Sequence, residues 1–343
     1  MMNAVVWNAP ERLTLQRVPI PHPLSPTDAI VRVECASTCG TDLHIFRGAV
    51  PRFVPGTVIG HEFVGTVSET GAAVSRVSVG QRVWSSDHVA CGVCSHCEAG
   101  RHPQCPSRML FGFSGIQPRL DGGMAEFVLV PQADLVLEPL LPGTDPRAAL
   151  LAADVLPTAL SAVDKSGARA GQRMAIVGAG PVGLLSAFLA RDAGADVTLF
   201  EINSHRIERV TAAGFHVVAV DADGGRPPED LRHSFDAAID AVGGQRGLKA
   251  ALDLARPNGR VIGAGSQASE YAMNWGALFQ HEMTIGFVIG NAIGMKSVVN
   301  EVLPRCGPIL DAIFSDLLPL SSVPEYFHSL YRRERFKALV EVR

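Results

Sequence analysis

Four cysteines crowd into one short stretch: Cys91, Cys94, Cys97 and Cys105, with two, two and seven residues between them. Thiolates at this density can surround a tetrahedral zinc ion, and a shell of four leaves no position for a substrate, so the site they imply is structural. His96 and His102 lie in the same loop and read as surface residues, because the four thiolates complete the shell. Cys35, Cys39 and Cys306 stand apart from the cluster. Disulfides would need an oxidising compartment, and the start, Met1 to Val5, has no charged segment leading into an apolar stretch with a cleavage site. Metal is therefore expected rather than disulfides, in a cytoplasmic chain.

A second constellation is Gly178-Ala179-Gly180-Pro181-Val182-Gly183, directly after the apolar run Met174 to Val177 and opening an Ala/Leu-rich helix over Pro181 to Asp192. Gly178 permits the tight turn, Gly180 lets the backbone approach a pyrophosphate, and Gly183 allows close helix–strand packing. The helix N-terminus offers free N–H groups and a positive dipole end to the phosphates. Glu201 ends the next apolar run, at the distance where an acid meets the adenosine ribose hydroxyls. Such a carboxylate accepts from a free 2′-hydroxyl and repels a 2′-phosphate, which favours NAD. Arg206, five residues on, is the residue that could instead accommodate that phosphate in NADP.

The elements that must position these groups fall into two patterns. Up to about residue 150, short strands such as Ala29 to Val33, Val64 to Val67 and Ala125 to Val130 are separated by glycine and proline turns. From about 155, apolar strands at 174–177, 197–200, 217–220, 235–239, 260–262 and 284–289 alternate with helices, including Ser204 to Ala213; that alternation predicts a parallel sheet covered by helices on both faces. The last fifty residues return to a mixed pattern. The fold class expected is α/β, a nucleotide-binding Rossmann domain over 155–288 inserted in a β-rich catalytic domain made from 1–154 and 289–343. The length, 343 residues, suits two domains, and 47% hydrophobic with 19% charged residues is a globular balance. A net charge of −4 gives no reason to expect nucleic acid, and no apolar run reaches membrane-spanning length, about 20 residues.

Cys39-Gly40-Thr41-Asp42-Leu43-His44 and Gly60-His61-Glu62, read singly, admit a buried thiol, a core histidine and a turn carboxylate. They occur, however, together with Gly65, Gly71, Gly80-Gln81-Arg82-Val83, the four-cysteine loop, Asp121 to Phe127 and the glycine turn. In this order and spacing the chain resembles, over essentially its whole length, the zinc-dependent medium-chain dehydrogenases, the family of alcohol, sorbitol and threonine dehydrogenases. The resemblance implies a GroES-like catalytic domain and a catalytic zinc held by Cys39, His61 and a third ligand, for which Asp154 is the candidate. It also implies Glu62 as a carboxylate beside or on the metal, Thr158 against the nicotinamide, and Lys337 as a basic residue near the pyrophosphate.

Three protein ligands leave a fourth zinc position for water or substrate. The expected reaction is reversible hydride transfer between a secondary alcohol, polyol, cyclitol or amino alcohol and NAD. Thr41 would accept the hydrogen bond of the substrate hydroxyl and, compatibly with that, could cap the helix that follows; His44 would pass the proton on. Arg52, Arg108, Gln117 and Arg119 are candidate polar groups for the substrate. A homodimer or homotetramer is expected. The competing readings are a quinone or enoyl reductase of the same fold, which lacks both zinc sites, and a non-enzymatic scaffold.

Overall fold

The computed structural model describes residues 1–221, 226–266, 270–332 and 334–342. They divide into two units, one of 1–157, 291–310 and 314–343, the other of 158–290 and 311–313.

The first unit is built on a seven-stranded sheet. Its order is Leu137–Pro139, Arg82–Ser85, Glu62–Thr70, Ala29–Ser37, Lys337–Glu341 and Phe314–Pro319, with Phe127–Val130 paired to Ala29–Ser37. A three-stranded sheet joins Met2–Ala9, Arg12–Val18 and Thr57–Val58. The core gathers Phe46, Phe63, Phe111, Met124 and Phe327, all fully or almost fully buried. Phe63 and Phe111 meet edge to face with centroids 5.2 Å apart. In the register of the large sheet Glu62 lies opposite Ser37, which lies opposite Leu339. The chain therefore brings the segments after Ser37, before Glu62 and at Lys337 to one end of three neighbouring strands.

The second unit carries a six-stranded parallel sheet in the order His216–Ala219, Asp196–Glu201, Arg173–Val177, Phe235–Asp240, Ala255–Gly263 and Thr284–Phe287. Strands buried on both faces explain the near-continuous apolar runs: every residue from Met174 to Val177 and from Val197 to Glu201 is buried. The chain starts in the middle, winds one way, and returns beside Arg173–Val177 to wind the other. The switch point between Arg173–Val177 and Phe235–Asp240 is where open sheets of this kind bind ligands.

The strands read from the sequence differ from the observed ones mainly at their ends. The largest difference is Ala255–Gly263, which begins five residues before the expected Arg260. Pro257-Asn258-Gly259 reads as a turn; here it is an irregular stretch inside a strand, with Asn258 at φ +62° and the pairing skipping from Phe235–Ala255 to Ala237–Arg260. The mixed C-terminal pattern resolves into the helices Ala292–Val302, Gly307–Ile313 and Val323–Tyr331 with two strands. Among the described residues no single helix is long and apolar enough to cross a membrane.

Candidate active site

Among the described residues, two groups of potential metal donors form, both in the first unit. In the cysteine loop, Cys94 immediately precedes the helical turn Ser95–Glu98, which carries Cys97, and Cys105 follows the turn His102–Gln104. Cys97 Sγ lies 3.9 Å from Cys91 Sγ and 3.5 Å from Cys94 Sγ. Those are the edges of a tetrahedron with bonds of about 2.3 Å to a central zinc, and far outside a disulfide of about 2.05 Å. Backbone N–H groups of Val93 and Cys94 draw the Cys91 thiol down to about 6, whereas burial pushes Cys97 up to about 12. The donor set fits zinc and no substrate position is left.

The second group brings Cys39, His61, Glu62 and Asp154 within 4.8 Å of one another. Cys39 precedes the helix Gly40–Phe46, His61 precedes the strand Glu62–Thr70, and Asp154 ends the helix Pro146–Ala153. The Asp87 N–H bonds the Ala153 carbonyl and ties that end down. Asp154 Oδ2 is 2.9 Å from Cys39 Sγ and 3.3 Å from His61 Nε2. Burial and the neighbouring Asp42 and Asp154 carboxylates act on the His61 pKa in opposite senses, and the net effect raises it well above its ordinary value, so His61 is the cationic partner of Asp154 here. Burial and then Asp154 push the Cys39 thiol up to about 12, and Asp154 is held at about 2 by His61 against the effect of burial. The thiol, imidazole and carboxylates of this pocket suit zinc, which would bind with the thiol deprotonated.

Glu62 is fully buried, with one oxygen hydrogen-bonded by Lys337 Nζ and Oε1 without a partner. Burial raises its carboxyl to about 7, against the pull of Lys337. Lys337, only 1% exposed, also donates to the Thr38 carbonyl at 2.7 Å. The lysine expected near a pyrophosphate is thus engaged with a carboxylate of the metal pocket.

The helix cap also differs from expectation. Cys39, not Thr41, is the N-cap; Thr41 is the second helical residue, half-buried. Asp42 provides the cap's return arm, accepting the Cys39 N–H at 2.9 Å, and its other oxygen lies 3.5 Å from His61 Nδ1. This residue was not singled out from the sequence, although an acid three residues after Cys39 is the capping-box spacing. That second oxygen makes no hydrogen bond of its own and faces the back of the His61 ring, where a carboxylate would favour a proton on Nδ1 and leave Nε2 for a metal. Asp42→Asn, which keeps the cap acceptor and removes the charge, is expected to weaken zinc at this pocket about 10–100-fold in chelator competition while the four-cysteine site keeps its metal. Unchanged affinity would reduce Asp42 to a cap.

His44 lies on the same helix, its Nδ1 3.0 Å from Arg47 Nη2; burial and then Arg47 lower its pKa. Of the polar candidates for substrate, Arg108 bonds the Pro103 carbonyl, Arg119 bonds Asp121 and the Gly56 carbonyl, and Gln117 bonds the Ser114 carbonyl. Arg52 is exposed.

In the second unit, Gly178 adopts φ +93°, a conformation glycine reaches without strain. A Cβ on Gly183 would lie 1.9 Å from the Gly178 carbonyl oxygen, whereas one on Gly180 would meet nothing nearer than Arg206 Nη1 at 3.8 Å. Pro181 is the first residue of the helix Pro181–Asp192, where its missing N–H costs nothing, and Val182 follows it. The turn is packed below and open above, which suits a pyrophosphate. Glu201, 4% exposed, accepts the N–H groups of Ala179, Ile202 and Asn203 at 2.8, 2.8 and 2.9 Å. Arg206 Nη1 is 3.8 Å from the same carboxylate. Three of its roughly four acceptor positions are thus filled, leaving about one for a ribose hydroxyl rather than two. Thr158 is buried on the helix Val155–Ser166.

Family comparisons agree with this arrangement. Residues 25–140 match the alcohol dehydrogenase GroES-like domain and 181–306 the zinc-binding dehydrogenase domain. The alcohol dehydrogenase TADH from Thermus sp. ATN1 superposes with a TM-score of 0.90 and 32% identity, covering all of both chains. A putative zinc-binding dehydrogenase from Sinorhizobium meliloti 1021, bound to NADP, gives a TM-score of 0.84 and 29% identity over 99% of each chain. L-threonine 3-dehydrogenase of Xanthomonas euvesicatoria is 29% identical over 95% of each chain. With its GroES-like and Rossmann units and two donor sets fit for zinc, the chain belongs to the zinc-dependent medium-chain dehydrogenases and is an oxidoreductase of the alcohol dehydrogenase type.

Proposed function

We propose that the protein oxidises a secondary alcohol, polyol, cyclitol or amino alcohol to the ketone, reversibly, with zinc at the Cys39 pocket and NAD as hydride carrier. The observation that carries this reading is the meeting of Cys39, His61 and Asp154 beside Glu62, one oxygen of which is already bonded by Lys337. Three donors then hold the metal and a coordination position stays available. When bound, zinc supplies a Lewis acid that acidifies an alcohol, and the nicotinamide takes the hydride. Asp42 orients His61 and holds the Cys39 backbone. Thr41 accepts the hydrogen bond of the substrate hydroxyl, and His44 takes the proton onward to water. Thr158 faces the nicotinamide, Gly178, Gly180 and Gly183 with Pro181 and Val182 cradle the pyrophosphate, and Glu201 meets the ribose. A homodimer or homotetramer is the assembly in which we expect it to work.

NADP is the second reading, supported by Arg206 beside Glu201 and by the NADP bound to the Sinorhizobium relative. A panel of secondary alcohols and polyols, followed by cofactor absorbance with NAD and NADP side by side, tests both. One charge-assisted hydrogen bond, worth about 1.5–3 kcal/mol, makes NAD the better cofactor by roughly tenfold or more in kcat/KM. Glu201→Ala should narrow that ratio. A parent enzyme preferring NADP would place Arg206 in control, and a panel with no turnover would favour the scaffold reading.

A further inference from the structure

The proton path assigned to His44 starts from a ring whose basic nitrogen is already taken. Arg47 Nη2 lies 3.0 Å from His44 Nδ1. A guanidinium only donates, so Nδ1 is the acceptor of this bond and the single proton of the neutral ring sits on Nε2. Arg47 is itself seated, with its guanidinium carbon 6.0 Å from the centroid of Tyr331, within cation–π range.

From this geometry we propose that Arg47 is a positioning residue for proton transfer: it holds His44 neutral, with its proton on Nε2, and must leave Nδ1 for the ring to accept a proton. The inference rests on the relay role given to His44 above. Both side chains belong to the C-terminal end of the helix Gly40–Phe46, where the open carbonyl ends favour a cation. The permanently charged guanidinium takes that place and leaves the imidazole uncharged. Asp42, on the same helix, is turned to His61 and the Cys39 N–H. Glu11 approaches through its backbone N–H, on the Phe46 carbonyl. The packed helix Val323–Tyr331 brings His328 and Tyr331, both against the Phe46 ring. The lowered pKa of His44, from burial and then Arg47, has the direction this arrangement requires.

In alcohol oxidation the balance is one proton for each hydride. His44 takes that proton at Nδ1 once Arg47 swings off, and the imidazolium returns one proton to water. Because Arg47 competes with the proton for Nδ1, the ring stays a competent base to lower pH than it would alone.

The test uses the zinc-loaded enzyme, with Arg47→Met removing donor and charge and Arg47→Lys restoring the charge. Ring nitrogen NMR of His44, assigned with His44→Gln, is expected to show an unprotonated Nδ1 in the neutral parent. Its titration, and the acid limb of kcat/KM for alcohol oxidation, should both move to higher pH in Arg47→Met and back toward the parent in Arg47→Lys. Substrate KM should hold. A proton on Nδ1 of the neutral parent ring, or the same titration in parent and Arg47→Met, overturns the proposal. His44→Gln is expected to lose roughly a hundredfold in kcat. If it instead keeps both its rate and its acid limb, the relay reading fails; the ring spectra still decide whether Arg47 sets the tautomer.

Discussion

Cys39→Ser is expected to yield a folded protein that binds one zinc per chain in place of two and has lost about a thousandfold or more of its kcat. The magnitude follows from chemistry. A metal acting as Lewis acid supplies several kcal/mol of transition-state stabilisation, and about 4 kcal/mol is roughly a factor of a thousand. Folding should be little disturbed, because Asp42 still receives the residue 39 N–H and Lys337 still holds Glu62. Elemental analysis, a thermal melt and steady-state rates on one preparation check all three parts. A variant with full zinc content and unchanged rate would remove Cys39 from the metal and from the reaction.

The opposite division is expected for Cys94→Ser. This residue belongs to a shell that closes on itself, and its loop packs on the first unit's core through Cys97 and Cys105. Metal binding in such a site is folding energy. Loss of a structural metal is among the few single changes costing more than about 4 kcal/mol. At roughly 2–4 °C per kcal/mol for a unit of about 200 residues, the transition should fall by about 8–16 °C. Below that transition, molecules that keep the Cys39 pocket should retain most of their specific activity. Equal thermal losses for Cys39→Ser and Cys94→Ser would contradict a structural and a chemical site in one chain.

Local signals carried the glycine turn and the cysteine loop, because each packs its chemistry into fewer than twenty consecutive residues. A strand, a positive-φ glycine and a helix opened by Pro181 are adjacent in the chain, so their spacing alone shows what they build. The Cys39 pocket is different. Its donors come from positions 39, 61, 62 and 154, and no periodicity links them; only the likeness to a known family put them together in advance. Asp42 escaped notice because a capping acid and an acid orienting a histidine look the same in one dimension.

What the sequence by itself determined was therefore the inventory: the four-cysteine zinc set, a nucleotide turn, a parallel sheet and an acid at the end of its second strand, with the Cys39 set supplied only by family likeness. The tertiary structure decided what those groups are free to do. The sheet register sets Lys337 against Glu62, so one oxygen of that donor is already hydrogen-bonded by a lysine, although 275 residues separate the two. The bend at Ile202 and Asn203 turns two N–H groups back onto Glu201 and the glycine turn adds a third, so an acid that reads as a ribose ligand is first a clamp on the turn. Composition and spacing specify which charges are present. Which of them are already satisfied depends on backbone N–H groups and side chains delivered by folding, and only the folded chain brings those within hydrogen-bonding distance.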